Sequence, residues 1–151
     1  MDAIYKLGTN FIFAIQSLGS WLVTPMTFFS FFGSAQFFLF VLPVVFWCID
    51  AELGVRLGIL LMASTSLNGV LKLAMHAPRP SWLSHEVKAH ALEPGFGIPS
   101  GHSQNGAVTW DFLAAWGKRK WMWWVAGTIA FLTGLSRMFL GMHFPGDVLT
   151  G

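Results

Sequence analysis

Ile4, Leu7, Phe11, Ile15, Leu18 and Leu22 recur at steps of three and four, while Asp2, Lys6, Asn10, Ser17 and Ser20 fall on the other side. The spacing predicts an amphipathic N-terminal helix over residues 1–24, either lying along a membrane interface or spanning with its polar side against other helices. Thr24-Pro25 breaks the pattern, a Phe-rich stretch follows, and Gly33-Ser34 breaks it again. The run AQFFLFVLPVVFWCI, residues 35–49, is long enough to cross a bilayer when part of the Phe run is added. Asp50, Glu52 and Arg56 make a short polar turn before a second apolar span over 55–75. Residues 76–99 concentrate proline and histidine and predict a loop. A third span over 100–116 ends at Lys118-Arg119-Lys120, and a fourth runs over 121–142 with Trp121, Trp123 and Trp124 suited to an interfacial belt.

Successive antiparallel spans put loop 76–99 and the segment after Met142 on one side, and Arg56 with Lys118-Arg119-Lys120 on the other. Basic residues are retained in the cytoplasm, so the first side is expected to be extracytoplasmic, as in a bacterial-type inner (plasma) membrane. Composition agrees with a bilayer setting: 54% of residues are hydrophobic and 11% charged, against roughly 25% charged in a soluble domain. The expected fold is all-α, a single membrane-embedded domain over residues 1–151 with four to five membrane helices. A net charge of +2 with scattered basic residues gives no nucleic-acid surface. Cys48 is the single cysteine, which rules out an internal disulfide, and no CxxC spacing occurs. The N-terminus lacks the features of a cleaved signal.

Three polar clusters gather on the expected outer side: KLAMHAPRP (72–80), PSGH (99–102) and SRMFLGMHFPGD (136–147). Lys72, Arg79 and Arg137 are cations at a membrane boundary, where an uncompensated charge is costly, so their convergence implies an anionic ligand. Arginine forks suit phosphate, and the small-residue turn at Ser100-Gly101 offers a hydroxyl and free N–H groups at a helix start. A neutral imidazole can attack phosphorus, and Asp147, four residues after His143, is placed to orient that ring. His102 is then the candidate to protonate the departing oxygen and deprotonate the attacking water. With cations stabilising the equatorial oxygens, no metal or other cofactor is needed. His76, His85 and His90 lack the helical spacing of a zinc site and are expected to be loop residues. Asp111 is expected to make a buried hydrogen bond to a neighbouring helix, and Asn68, one turn before Lys72, to support it.

The three clusters together resemble the tripartite signature of the type 2 phosphatidic acid phosphatase superfamily, which also contains the vanadium-dependent haloperoxidases. Lys72, Arg79, Pro80, Pro99, Ser100, Gly101, His102, Ser136, Arg137, His143 and Asp147 fill its positions in order and spacing. The resemblance implies that His143 is a nucleophile forming a phosphohistidine, Asp147 its partner and His102 the general acid/base. It implies that Lys72, Arg79, Ser100, Gly101 and Arg137 hold the phosphate. It further implies a helical bundle, commonly of six spans, whose final helix follows the aspartate; here only its first turn is expected. The expected activity is hydrolysis of a lipid phosphate or pyrophosphate presented by the bilayer, with the lipid itself left open. The alternatives are a vanadate-dependent haloperoxidase and a non-catalytic headgroup-binding membrane protein.

Overall fold

The structure, a computed structural model, describes residues 3–91 and 93–151. Among these, all regular structure is helical: α1 (Ala3–Gln16), α2 (Val23–Phe31), α3 (Ala35–Val44), α4 (Ala51–Met75), α5 (Pro80–Leu83), α6 (Gly101–Gly117), α7 (Lys120–Phe139) and α8 (Pro145–Thr150). Ser20–Leu22 forms a 3-10 turn before α2, and Val45–Ile49 a π-helical turn after α3.

The N-terminal region corrects the expected single helix over residues 1–24. α1 stops at Gln16, and the chain turns by 91° before the helical stretch Ser20–Phe31. The break falls at Gly19, whose φ of 125° lies where a side chain is strained. Thr24-Pro25 does not interrupt anything: both lie in the first turn of α2, where proline's missing N–H has no intrahelical partner to lose. The remaining boundaries follow cap chemistry. Ser34, Asp50 and Ser100 each accept a backbone N–H at the start of α3, α4 and α6. At their C-terminal ends, α4 and α6 terminate in left-handed residues, His76 and Lys118.

The core lies between α3, α4 and α6, where Phe37, Phe38, Leu57 and Leu61 pack with Phe37 stacked on Trp110 at 5.8 Å. A second cluster, Ile12, Val87 and Phe144, ties α1 to the 84–99 loop and to the start of α8. Polarity is inverted relative to a water-soluble bundle. Leu39, Phe40, Ile59, Met62, Val70, Leu73, Trp124 and Phe131 are exposed, while Asn68, Arg79, Thr133, Arg137, His143 and Asp147 are buried. Such an apolar exterior belongs in lipid. Among the described residues, the stretch Ala51–Leu83 is long and apolar enough to cross a membrane by itself, with mean hydropathy 1.5, and the bent pair α1–α2 passes only when joined. α6 carries Gln104, Asn105 and Thr109 toward its neighbours, which lowers its apolarity without removing it from the bundle.

Asp50, Glu52 and Arg56 of α4 share a crevice with Ala115 and Trp116 of α6, so these helices run antiparallel. The Lys118-Arg119-Lys120 turn therefore lies at the Arg56 end, and the C-terminus of α4, the N-terminus of α6 and the C-terminus of α7 meet at the other. Asp111 departs from expectation, since it is exposed on α6 instead of buried against a neighbouring helix. Asn68 is buried as expected, but its Nδ2 donates to Gln104 Oε1 at 2.8 Å and to Pro99 O at 3.3 Å, so it braces the start of α6 and not Lys72.

Candidate active site

Four chain segments converge at that end. α7 finishes at Phe139, Gly141 turns the chain with φ 72°, and His143 arrives just before α8 begins at Pro145. His143 is fully buried and Asp147 is 1% exposed. Asp147 Oδ2 lies 3.3 Å from His143 Nδ1 and accepts the Phe144 N–H at 2.9 Å. One carboxylate oxygen thereby holds both the ring and the backbone preceding α8; a proton on Nδ1, donated to Asp147, would leave the lone pair on Nε2. Among the described residues, Nε2 has no hydrogen-bond partner.

Glycine is required beside this pair. A Cβ at Gly97 would stand 3.0 Å from Asp147 Oδ2 and 2.8 Å from Pro78 O. Ser100 N donates to Asp147 O at 2.9 Å, fastening the 99–102 turn to α8. The Ser100 hydroxyl caps α6, accepting from Ser103 N at 3.4 Å and from Ser103 Oγ at 3.0 Å. Gly101 packs against Asn68, whose Oδ1 would lie 3.3 Å from an added Cβ.

Arg79 and Arg137 are each 3% exposed. Arg79 donates through Nε to Gly95 O at 2.8 Å and through Nη1 to Met142 O at 3.1 Å. Arg137 donates through Nη1 to Ser30 Oγ at 2.7 Å, while its Nε finds no partner among the described residues. Lys72 Nζ reaches Phe96 O at 2.6 Å. Ser136 Oγ turns back onto Thr133 O at 2.6 Å within α7 and takes no part in the cradle.

Every residue proposed from sequence for catalysis or phosphate binding thus comes to one end of the bundle. Sequence reasoning missed Glu93 and Ser30. The Glu93 carboxylate sits among the cradle groups: Oε1 contacts Arg137 Nη2 and lies 3.3 Å from His102 Nδ1, while Oε2 lies 3.3 Å from Arg79 Nη1 and 3.6 Å from His143 Nε2. Burial pushes the Glu93 carboxyl up, but the His143 ring and the Arg137 guanidinium outweigh it and hold the group well below the usual carboxylate range. The available signal was charge balance. Three cations brought to one boundary need a counter-anion, and Glu93 is an acid in the connecting loop. Two of the loop histidines pack on aromatic rings, His76 edge-on to Phe96 at 4.6 Å and His90 stacked on Phe139 at 6.5 Å, while His85 is exposed.

An inward-polar, outward-apolar helical bundle with one such site at its end defines a class of membrane protein. Residues 53–151 match the PAP2 superfamily, and the chain belongs to that superfamily. Phosphatidylglycerophosphatase B of Bacillus subtilis (strain 168) is 31% identical over 146 residues, covering 87% of this chain and 68% of that protein. Glucose-6-phosphatase 3 of Bos taurus is 29% identical over 177 residues, and the chain spans about half of its length, 51%. The crystal structure of a transmembrane PAP2 type phosphatidylglycerolphosphate phosphatase from Bacillus subtilis superimposes with a TM-score of 0.84 at 27% identity, covering 99% of this chain and 79% of that one. These relatives are named as phosphatases, and the chain, all-helical among its described residues, shares the fold of the transmembrane one whose structure is solved.

Proposed function

We propose that this protein hydrolyses the terminal phosphate of a lipid phosphate or lipid pyrophosphate at the extracytoplasmic face of the membrane, without a metal, through a phosphohistidine. The observation that carries this reading is the buried Nε2 of His143, without a hydrogen-bond partner among the described residues, backed by Asp147 on the other nitrogen and lying 3.6 Å from the carboxylate on which Arg79 and Arg137 converge. A nucleophile with its lone pair free, at a place where two guanidinium groups gather negative charge, is suited to phosphoryl transfer.

In the first step the Nε2 lone pair forms a bond to phosphorus as the bond to the lipid oxygen breaks, and His102 delivers a proton to that oxygen. Asp147 stabilises the cationic ring that results. In the second step water attacks phosphorus, His102 takes its proton, the N–P bond breaks and inorganic phosphate leaves. Lys72, Arg79 and Arg137 hold the equatorial oxygens, and the Ser100-Gly101 turn orients the group at the start of α6. The lipid class is supported by the exposed apolar girdle around the site and by the phosphatidylglycerophosphate phosphatases among the relatives.

The test is phosphate release from lipid phosphates and pyrophosphates by detergent-solubilised protein in excess chelator, with His143→Asn alongside. Chelator-resistant release that disappears in the variant is expected. Release that survives in the variant would remove His143 as nucleophile.

A further inference from the structure

The loop carrying Glu93 is a built insertion into the cradle. Arg79 holds its backbone at Gly95 O and at Pro94 O, 2.8 and 3.4 Å away, and Lys72 holds it at Phe96 O. One carboxylate then meets both guanidinium groups and both histidines on which phosphoryl transfer depends. A cavity of about 220 Å³, lined by Lys72, Arg79, His102 and Asn105, adjoins it. Two residues after Glu93, Gly95 has φ 80°, a left-handed conformation that lets the chain turn there and that other residues rarely adopt.

We propose that Glu93 is an internal anion that holds the seat of the substrate phosphate and must be displaced by it, and that it thereby selects among phosphates by charge. The proposal rests on the phosphate-cradle reading above. A carboxylate and a phosphodiester each carry one negative charge, so the exchange gains a diester little Coulomb energy and costs it the loop's contacts. A terminal phosphate monoester carries close to two charges at neutral pH and gains from every cation that Glu93 releases. Bulk membrane phospholipids, which present phosphodiesters at high local concentration, are kept out on this basis, while a terminal phosphate enters.

Inorganic phosphate and dimethyl phosphate separate the charge effect from the lipid, since they differ mainly in charge and in two methyl groups. Thermal unfolding of the detergent-solubilised protein would be followed against each anion at pH 8 and constant ionic strength. For the unaltered chain we expect stabilisation by inorganic phosphate and little by dimethyl phosphate. For Glu93→Gln we expect half-saturation by phosphate at a concentration at least tenfold lower, and stabilisation by dimethyl phosphate as well. Equal half-saturating concentrations in the two proteins would overturn the proposal while leaving the cradle intact. If phosphate stabilises neither protein, the cradle reading fails and the proposal with it. Hydrogen exchange on the unaltered chain is an independent measure that does not need the variant to fold. Displacement requires that phosphate increase amide exchange across residues 93–97, and protection of that segment by phosphate would overturn it.

Discussion

Asp147 Oδ2 accepts two donors at once, the Phe144 N–H at 2.9 Å and the His143 ring through Nδ1 at 3.3 Å. Because a single oxygen does both, an asparagine at this position can keep its carbonyl oxygen there and lose only the charge. Asp147→Asn is therefore expected to keep the productive tautomer and to be impaired through poorer stabilisation of the cationic ring. Asp147→Ala removes both the charge and the acceptor, and a loss on the order of 10⁴ in kcat is expected when the carboxylate of a histidine–carboxylate set is removed. Measuring kcat for both checks this, and equal losses would show that orientation contributes nothing beyond charge.

The acid role of His102 makes a prediction about leaving groups. His102→Ala should slow release of an ordinary lipid alcohol by about 10² to 10⁴, and should slow the first step much less with a p-nitrophenyl phosphate, whose oxygen departs without a proton. Burst kinetics, which separate the two steps, check this. An equal loss in the first step for both substrates would remove His102 from that role.

How much of this site the chain itself displays depends on the kind of residue. Asp50 reads as part of a polar turn, and its capping of α4 is visible only in the structure. The convergence of Lys72, Arg79, His102, Arg137, His143 and Asp147 on one end was legible because they fall at the ends of long apolar runs, and the helix start at Ser100 was legible because a small-residue turn is local chemistry. The bend at Gly19 was not, since a glycine inside a periodic pattern is usually tolerated, and Pro25 was misread because a first-turn proline looks like a breaker from sequence alone. Ser30 and Glu93 are missing from any local pattern: one lies 107 positions from its partner Arg137 and the other 44. Their roles exist only after the bundle closes. Asp111 shows the converse error, a carboxylate in an apolar stretch that the fold simply leaves exposed.

Ser30 positions Arg137, accepting from its Nη1 at 2.7 Å in a buried setting. A hydrogen bond to a charged group is worth about 1.5–3 kcal/mol, so Ser30→Ala should lower kcat/KM roughly tenfold or more. Because Ser30 touches no reacting atom, the loss is expected in phosphate affinity, with KM rising more than kcat falls, and Ser30→Thr should restore it. A fall confined to kcat would place Ser30 elsewhere in the mechanism.

Gly97→Ala should be among the most damaging small substitutions in the chain. Its Cβ would press on Asp147 Oδ2 and on Pro78 O at 3.0 and 2.8 Å, one the carboxylate oxygen that contacts both the Phe144 N–H and the His143 ring and the other backbone. The carboxylate oxygen cannot retreat without loosening its contact with His143 Nδ1. By comparison, Gly146→Ala meets nothing within 4 Å and should be close to neutral. Phosphatase assays on the two variants, with unfolding midpoints to confirm that both are folded, distinguish a local distortion of the histidine–aspartate pair from general helix stiffening.

Glu93 ties stability to pH in a direction that follows from its environment. Its carboxyl is held below the usual value of about 4.5 in the folded chain, so the folded state binds the proton less readily than the unfolded state does. The stabilisation it contributes is fully present above that ordinary value, and is lost as pH falls toward the depressed folded value. Unfolding midpoints of the phosphate-free protein should therefore be insensitive to this group between pH 6 and pH 8 and should drop on acidification below about pH 4.5. Glu93→Gln should flatten that acid limb while starting from a lower midpoint at neutral pH, because Arg79 and Arg137 then face each other across an uncharged amide. Saturating phosphate should narrow the difference between the two proteins at neutral pH, since the anion supplies the charge the variant lacks. A variant with the same acid limb as the unaltered chain would show that Glu93 does not carry the linkage.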